Sequence, residues 1–172
     1  MTSNPPVGGR ILGSLRSADG KGVVRMEDRF DTGIDDLWSA VTDPRRLARW
    51  IGDVEGDLHL GGEFRFRFFA SGSAGTGRVD ACEPPRRLLL AMALGQPDED
   101  VIEVTLTADA SQTTLVWEER GMPLDLLAAY GAGVQIHVED LAAYLAGRER
   151  VNAAGRWNEL EPAYRDLEAN VS

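Results

Sequence analysis

Side chains able to move a proton or hold a metal are few in this chain, and they are scattered. The imidazoles are His59 and His137, and the only thiol is Cys82. A transition-metal site needs several such ligands at fixed spacing. There is no His-Glu-x-x-His and no cysteine pair, so no metal and no resident cofactor is expected. The glycines within residues 72–77 lie between strand-like runs and lack the lysine of a phosphate-binding loop. No Gly-x-Ser-x-Gly joins a strand to a helix, which removes the commonest serine nucleophile. Periodicity turns one polar pair inward. Glu119 falls in register with Leu115 and Trp117 in TTLVWEER, and His137 borders the apolar stripe of a long helical stretch. A carboxylate beside an imidazole favours the charged ring and would anchor or polarise a ligand oxygen. The alternative is a histidine at the helix edge touching solvent. Cys82, near a strand end, reads as a small buried hydrophobe.

These groups need a scaffold, and the pattern supplies one. Residues 34–50, IDDLWSAVTDPRRLARW, read as two short helices. Asp31 and Thr32 offer caps to the first, which carries Leu37, Trp38 and Val41 at helical spacing. Asp43-Pro44 starts the second, with Leu47 and Trp50 as its stripe. Upstream, RILGSLRS meets KGVVRMEDRF across Asp19-Gly20, a strong hairpin signal that pairs residues 10–17 with 22–29. In the second strand Val24, Met26, Asp28 and Phe30 share a face. Asp28 then either reaches solvent at the strand end, caps the short helices, or sits as a polar group in a cavity.

Downstream, residues 57–60 are expected as a short strand. In EFRFRFFA, Phe64, Phe66 and Phe68 alternate with charged residues, the period of a sheet with one wet face. GRVDAC follows a turn at residues 71–77. RRLLLAMA, a polar loop at residues 95–100, VIEVTLTAD and TTLVWEER then make an antiparallel meander. Residues 124–147 carry the longest helical pattern, irregular at first because Gly131 and Gly133 disfavour a helix interior, then clear through Val134, Val138, Leu141 and Leu145. Gly147 supplies the stop. Trp157, Leu160, Tyr164 and Leu167 form a separate stripe, interrupted by Pro162.

Four segments in this order, LWSAVTDPRRLARW, DLHLGGEFRFRF, ACEPPRRLLL and TTLVWEERGMP before a terminal helix, resemble the START-like helix-grip proteins. Within that superfamily the likeness is to homologues of the activator of the heat-shock-protein-90 ATPase. The resemblance spans roughly residues 23–147. It implies an α+β fold in which a curved antiparallel sheet wraps a long C-terminal helix, with two short helices after the first family strand. It also implies an apolar cavity between sheet and helix. Phe64, Phe66, Leu90, Val104 and Trp117 would line the sheet side, Val134, Val138 and Leu141 the helix side, and Glu119 and His137 would supply polarity. The alternative is that these side chains pack against one another as core.

The chain of 172 residues suits one domain. It is expected to comprise a disordered segment at residues 1–9, a START-like domain at 10–147 and a helical extension at 148–172. A net charge of −10 argues against nucleic acid and anionic membranes, both of which recruit clustered Lys and Arg. No apolar run approaches the length of a membrane span, and MTSNPPVGGR has no apolar signal core, so a cytoplasmic protein is expected. Three functions follow. The first is binding of a small hydrophobic molecule. The second is a cyclase- or hydrolase-type reaction using Glu119 and His137. The third, implied by the branch name alone, is association with a chaperone in a stress response. A homodimer is a further partner to consider.

Overall fold

In the computed structural model, which describes residues 10–97 and 99–171, Asp19 and Gly20 both adopt left-handed backbone (φ 54° and 78°), as a two-residue hairpin turn requires. Strand β1 (Gly13–Ala18) thereby pairs antiparallel with β2 (Lys21–Phe30), Gly13 opposite Met26 and Ala18 opposite Lys21. The first strand starts three residues later than expected. The reason is that the backbone of residues 10–12 is claimed by a side chain. Leu12 N–H donates to Gln135 Oε1 (3.1 Å), and Gln135 Nε2 donates to the Arg10 carbonyl (2.7 Å). Asp28 is half-buried and takes the strand-end role, accepting from Arg10 and from its neighbour's N–H. The expectation for residues 1–9 lies outside the described residues.

The two short helices form as read, α1 at Ile34–Thr42 and α2 at Pro44–Trp50. Asp43 caps α2 by accepting from Arg45 N–H, but α1 starts from Gly33 without a side-chain cap. Thr32 is diverted, its hydroxyl donating to the Asp36 carboxylate (2.7 Å). Arg46 ties the pair together through Asp36 (2.9 Å), and the buried Trp50 indole donates to the Ala40 carbonyl (2.9 Å).

The next strand differs from expectation: β3 is Gly52–Gly56, and residues 57–60 form the turn after it. Gly52 permits this. A Cβ there would stand 2.0 Å from the Arg67 carbonyl, so only glycine lets the chain leave α2 and lie at once against β4 (Glu63–Phe68). Strand β5 (Ala74–Glu83) begins earlier than its GRVDAC core, and β6 (Arg87–Met92), β7 (Asp100–Asp109) and β8 (Gln112–Met122) complete the meander. The described strands form a single sheet in the order β1-β2-β8-β7-β6-β5-β4-β3, antiparallel at every step.

After one 3-10 turn (Leu124–Leu126), α3 (Leu127–Leu145) crosses the β1–β2 end of the sheet. Val134, Val138 and Leu141 are fully buried, as the stripe requires, but so are Ile136, Gln135 and Asp140 on other sides of the helix. The cover is α4 (Ala153–Glu168), which runs through Pro162 without a break and lays Leu160 and Tyr164 on α3 and β1. Tyr164 Oη accepts from Gly13 N–H (3.0 Å) and donates to Gln135 Oε1 (2.5 Å), while Arg156 grips the Glu139 carboxylate with two bonds of 2.6 Å. A polar knot thus joins the start of the hairpin to both long helices. The architecture is the α+β helix-grip fold. Among the described residues no helix is long and apolar enough to cross a membrane.

Candidate functional site

The backbone of α3 lies mainly against β1 and β2, and the two short helices stand over the remaining concave face without filling it. A cavity of about 270 Å³ lies between them. Its deep wall is Phe64, Phe66, Val79, Leu88, Ile102, Val104 and Trp117 from the strands, with Val41, Trp50 and Ile51 from the helix side, all buried. Half-exposed Trp38, Leu47, Val54, Leu58, Cys82 and Leu90 stand around it. The lining carries no charged side chain. Its hydroxyl, on Thr42, donates to the Trp38 carbonyl (2.7 Å), and the Trp50 N–H is likewise spent within the helices. What remains polar is the Cys82 thiol and the Trp117 N–H. The walls select for apolar matter.

The residues named from sequence divide cleanly. Phe64, Phe66, Leu90, Val104 and Trp117 line this cavity. Val134, Val138 and Leu141 do not: they are buried in the core of the molecule, outside the cavity lining. His137 and Glu119 do not line it either, and they are not a pair. The His137 ring meets Phe68 edge-on (centroids 4.9 Å) and stacks on Trp117 (6.0 Å), a wedge behind the aromatic wall. Its Nδ1 is buried without a partner, and burial pushes its pKa down to about 4, so the ring is neutral, contrary to the charged imidazole expected. Nor does it stand at a solvent-exposed helix edge: it is 7% exposed, at the floor of a concavity of about 430 Å³ between α3 and the start of α4.

Glu119 finds a different companion. Its carboxyl is buried beside that of Asp100, the first residue of β7, which the sequence placed in a loop. Burial, then the charge of Asp100, raises Glu119 well above the usual carboxylate range, and burial raises Asp100 as well. Two buried carboxyls this close cannot both ionise freely, which explains why both are raised. The Trp117 N–H lies near enough to the Glu119 carboxyl to oppose that rise, although it forms no well-aligned hydrogen bond. The carboxyl pair sits just past the cavity. In register, Glu119 is opposite Ile102 and Asp100 opposite Met92, and both of those apolar residues line it.

Sequence reasoning missed the short-helix wall. Trp38, Val41, Leu47 and Trp50 were read only as the apolar stripes of the two short helices, yet two tryptophans within thirteen residues exceed what two short helices need to hold themselves together.

Comparison with known proteins bears on the same residues. Residues 31–146 match the sequence profile described as Activator of Hsp90 ATPase homolog 1-like protein. No curated protein sequence matches significantly. Among solved structures, the chain is similar to CalU16 from Micromonospora echinospora (27% identity, TM-score 0.74, 91% of this chain and 95% of that one). It is also similar to DynU16, described as belonging to the dynemicin biosynthetic locus (34% identity, TM-score 0.69, 79% of this chain); here the match spans about half of that chain (51%). A protein of unknown function from Enterococcus faecalis, EF2215, shares the fold at 18% identity (TM-score 0.68, 90% of this chain and 91% of that one).

Proposed function

The chain belongs to the Activator of Hsp90 ATPase homolog 1-like family, and from that premise we propose that it binds a small hydrophobic molecule in the cavity between β3–β8 and the two short helices. The observation that carries this is the combination of open volume with walls whose polar groups are almost all satisfied internally. Space of that kind gains from an apolar guest, since the exposed lining lacks contact partners on one side. A volume of about 270 Å³ lies just under the usual range of ligand pockets, which favours a compact ligand. The likeness to DynU16, a protein of a biosynthetic locus, supports a small molecule over a macromolecule.

A fluorescence titration with N-phenyl-1-naphthylamine tests the proposal, with Trp50 and Trp117 in the wall as energy donors. Saturable binding is expected. Val79→Trp, which puts an indole into the space, should weaken it by roughly tenfold or more, about 1.4 kcal/mol. Equal binding by the variant would place the probe elsewhere and refute the assignment.

One observation favours a second reading. Burial beside Asp100, just past the cavity, raises the Glu119 carboxyl well above the usual carboxylate range, and a buried acid of that kind can donate a proton. If so, Glu119→Gln should abolish turnover of any substrate found while preserving its binding. His137 has no place in such a step.

A further inference from the structure

Twelve of the arginines form ion pairs, from Arg10–Asp28 to Arg165–Glu161. Among the described residues Arg49, Arg67, Arg86, Arg148 and Arg150 have no carboxylate within ion-pair distance. In a chain carrying −10 that is unexpected, and more so because three of the five converge. Arg49, Arg148 and Arg150 line one surface groove of about 710 Å³, bounded by the end of α2, the β4–β5 turn, the C-terminal end of α3 and the start of α4. Helix ends explain part of the placement, since Arg49 lies in the last turn of α2 and Arg148 just beyond α3, where cations complement the helix dipole. They do not explain why three arginines without carboxylate partners line one concavity.

The groove is also furnished for an oxyanion. The Arg150 guanidinium lies over the Phe69 ring (4.7 Å to its centroid), which holds it against one wall. Tyr144 also lines the groove, and its Oη accepts from Arg46 Nε (2.9 Å), which leaves the phenol's own proton unspent in that bond. Glu149 is the one acidic residue in the lining, so three positive charges against one negative leave a net of two.

We propose that this groove is a binding site for a phosphate monoester, held by Arg49, Arg148, Arg150 and the Tyr144 hydroxyl. A phosphate monoester carries about −1.5 to −2 at neutral pH and matches the net charge, whereas a single carboxylate neutralises only half of it. Its three terminal oxygens suit the forked donors of arginine. The site is separate from the apolar cavity. Helix α2 divides the two, with Leu47 and Trp50 on the cavity side and Arg49 on the groove side.

The test is a nitrogen-15 NMR titration of the full chain with phenyl phosphate and, in a parallel arm, inorganic phosphate. Saturable shifts are expected at the amides of Phe69 and residues 147–151. Arg148→Gln and Arg150→Gln should each weaken the response about tenfold, the scale of one lost charge-assisted hydrogen bond. Arg86→Gln, an unpaired arginine elsewhere, should leave it unchanged. All these side chains are solvent-exposed, so the variants are expected to fold. Tighter binding of phenyl phosphate than of phosphate identifies an organic ester as the ligand, and equal binding identifies free phosphate. No saturation, shifts untouched by Arg148→Gln, or an equal response to sodium chloride at matched ionic strength would overturn the site.

Discussion

Val104→Ile tests whether the space beneath the short helices is real. Val104 sits on the inward face of β7, opposite Leu88 and Trp117, and is buried at 5% exposure while lining the cavity. Isoleucine keeps the β-branched shape that a strand prefers and adds one methylene pointing toward the open volume. If the volume accepts it, burial of one CH₂ stabilises the fold by about 0.8 kcal/mol. The contrasting change is Val138→Ile in α3, where the side chain is fully buried outside the cavity lining. There the same methylene must displace neighbours, at a cost of about 1–3 kcal/mol. Urea unfolding followed by circular dichroism measures both, provided the slopes agree so that midpoints convert to free energies. The two variants should move in opposite directions. If Val104→Ile destabilises by about 1 kcal/mol or more, as overpacked sites do, the space is not available and the ligand proposal loses its basis.

Three further outcomes are expected. His137 has its folded-state pKa depressed to about 4 from 6.5, so the stability from its neutral burial is present above 6.5 and lost as pH falls toward 4. The melting temperature of His137→Phe relative to wild type should therefore rise on acidification through that window; a pH-independent difference counts against it. Asp140 behaves oppositely. Burial raises it to about 6 from 3.8, so its contribution is present below 3.8 and lost as pH rises through 6. Asp140→Asn, which keeps an acceptor for Val151 N–H, should be more stable than wild type at pH 7.5 and lose that advantage by pH 4, as thermal melts at the two pH values would reveal. Tyr164→Phe strips Gly13 N–H of its acceptor and Gln135 of a donor, and should cost about 1–3 kcal/mol in the same urea assay. A loss below about 0.5 kcal/mol, the scale of a surface change, would mean the knot does not hold the hairpin.

The elements were legible where a local signal fixes them: Asp19-Gly20 for the hairpin, the alternation in EFRFRF for β4, Asp43-Pro44 for α2. The site was legible only by halves. Periodicity says which face of an element is buried but not against what, so the inward residues of β4 to β8 were found while their partner was taken to be α3 instead of α1 and α2. Glu119 was read as facing inward, and it is buried, but it does not line the cavity and its companion is Asp100, which was missed because it ends a polar run that reads as loop. His137 was read at the border of the α3 stripe from its spacing to Val134 and Val138, and spacing within one helix does not show what else packs against that border.

The knot that binds Arg10, Leu12 and Gly13 to Gln135 and Tyr164 has a consequence for how the chain is made. Its contacts join residues 125 and 151 positions apart, so they give this face of the molecule a high contact order. During synthesis the hairpin emerges long before Gln135 and Tyr164 and must wait for them with its outer edge unpaired. β1 is therefore the exposed edge strand of the nascent protein, and closure of the last helix over it is the step that withdraws that edge from other chains.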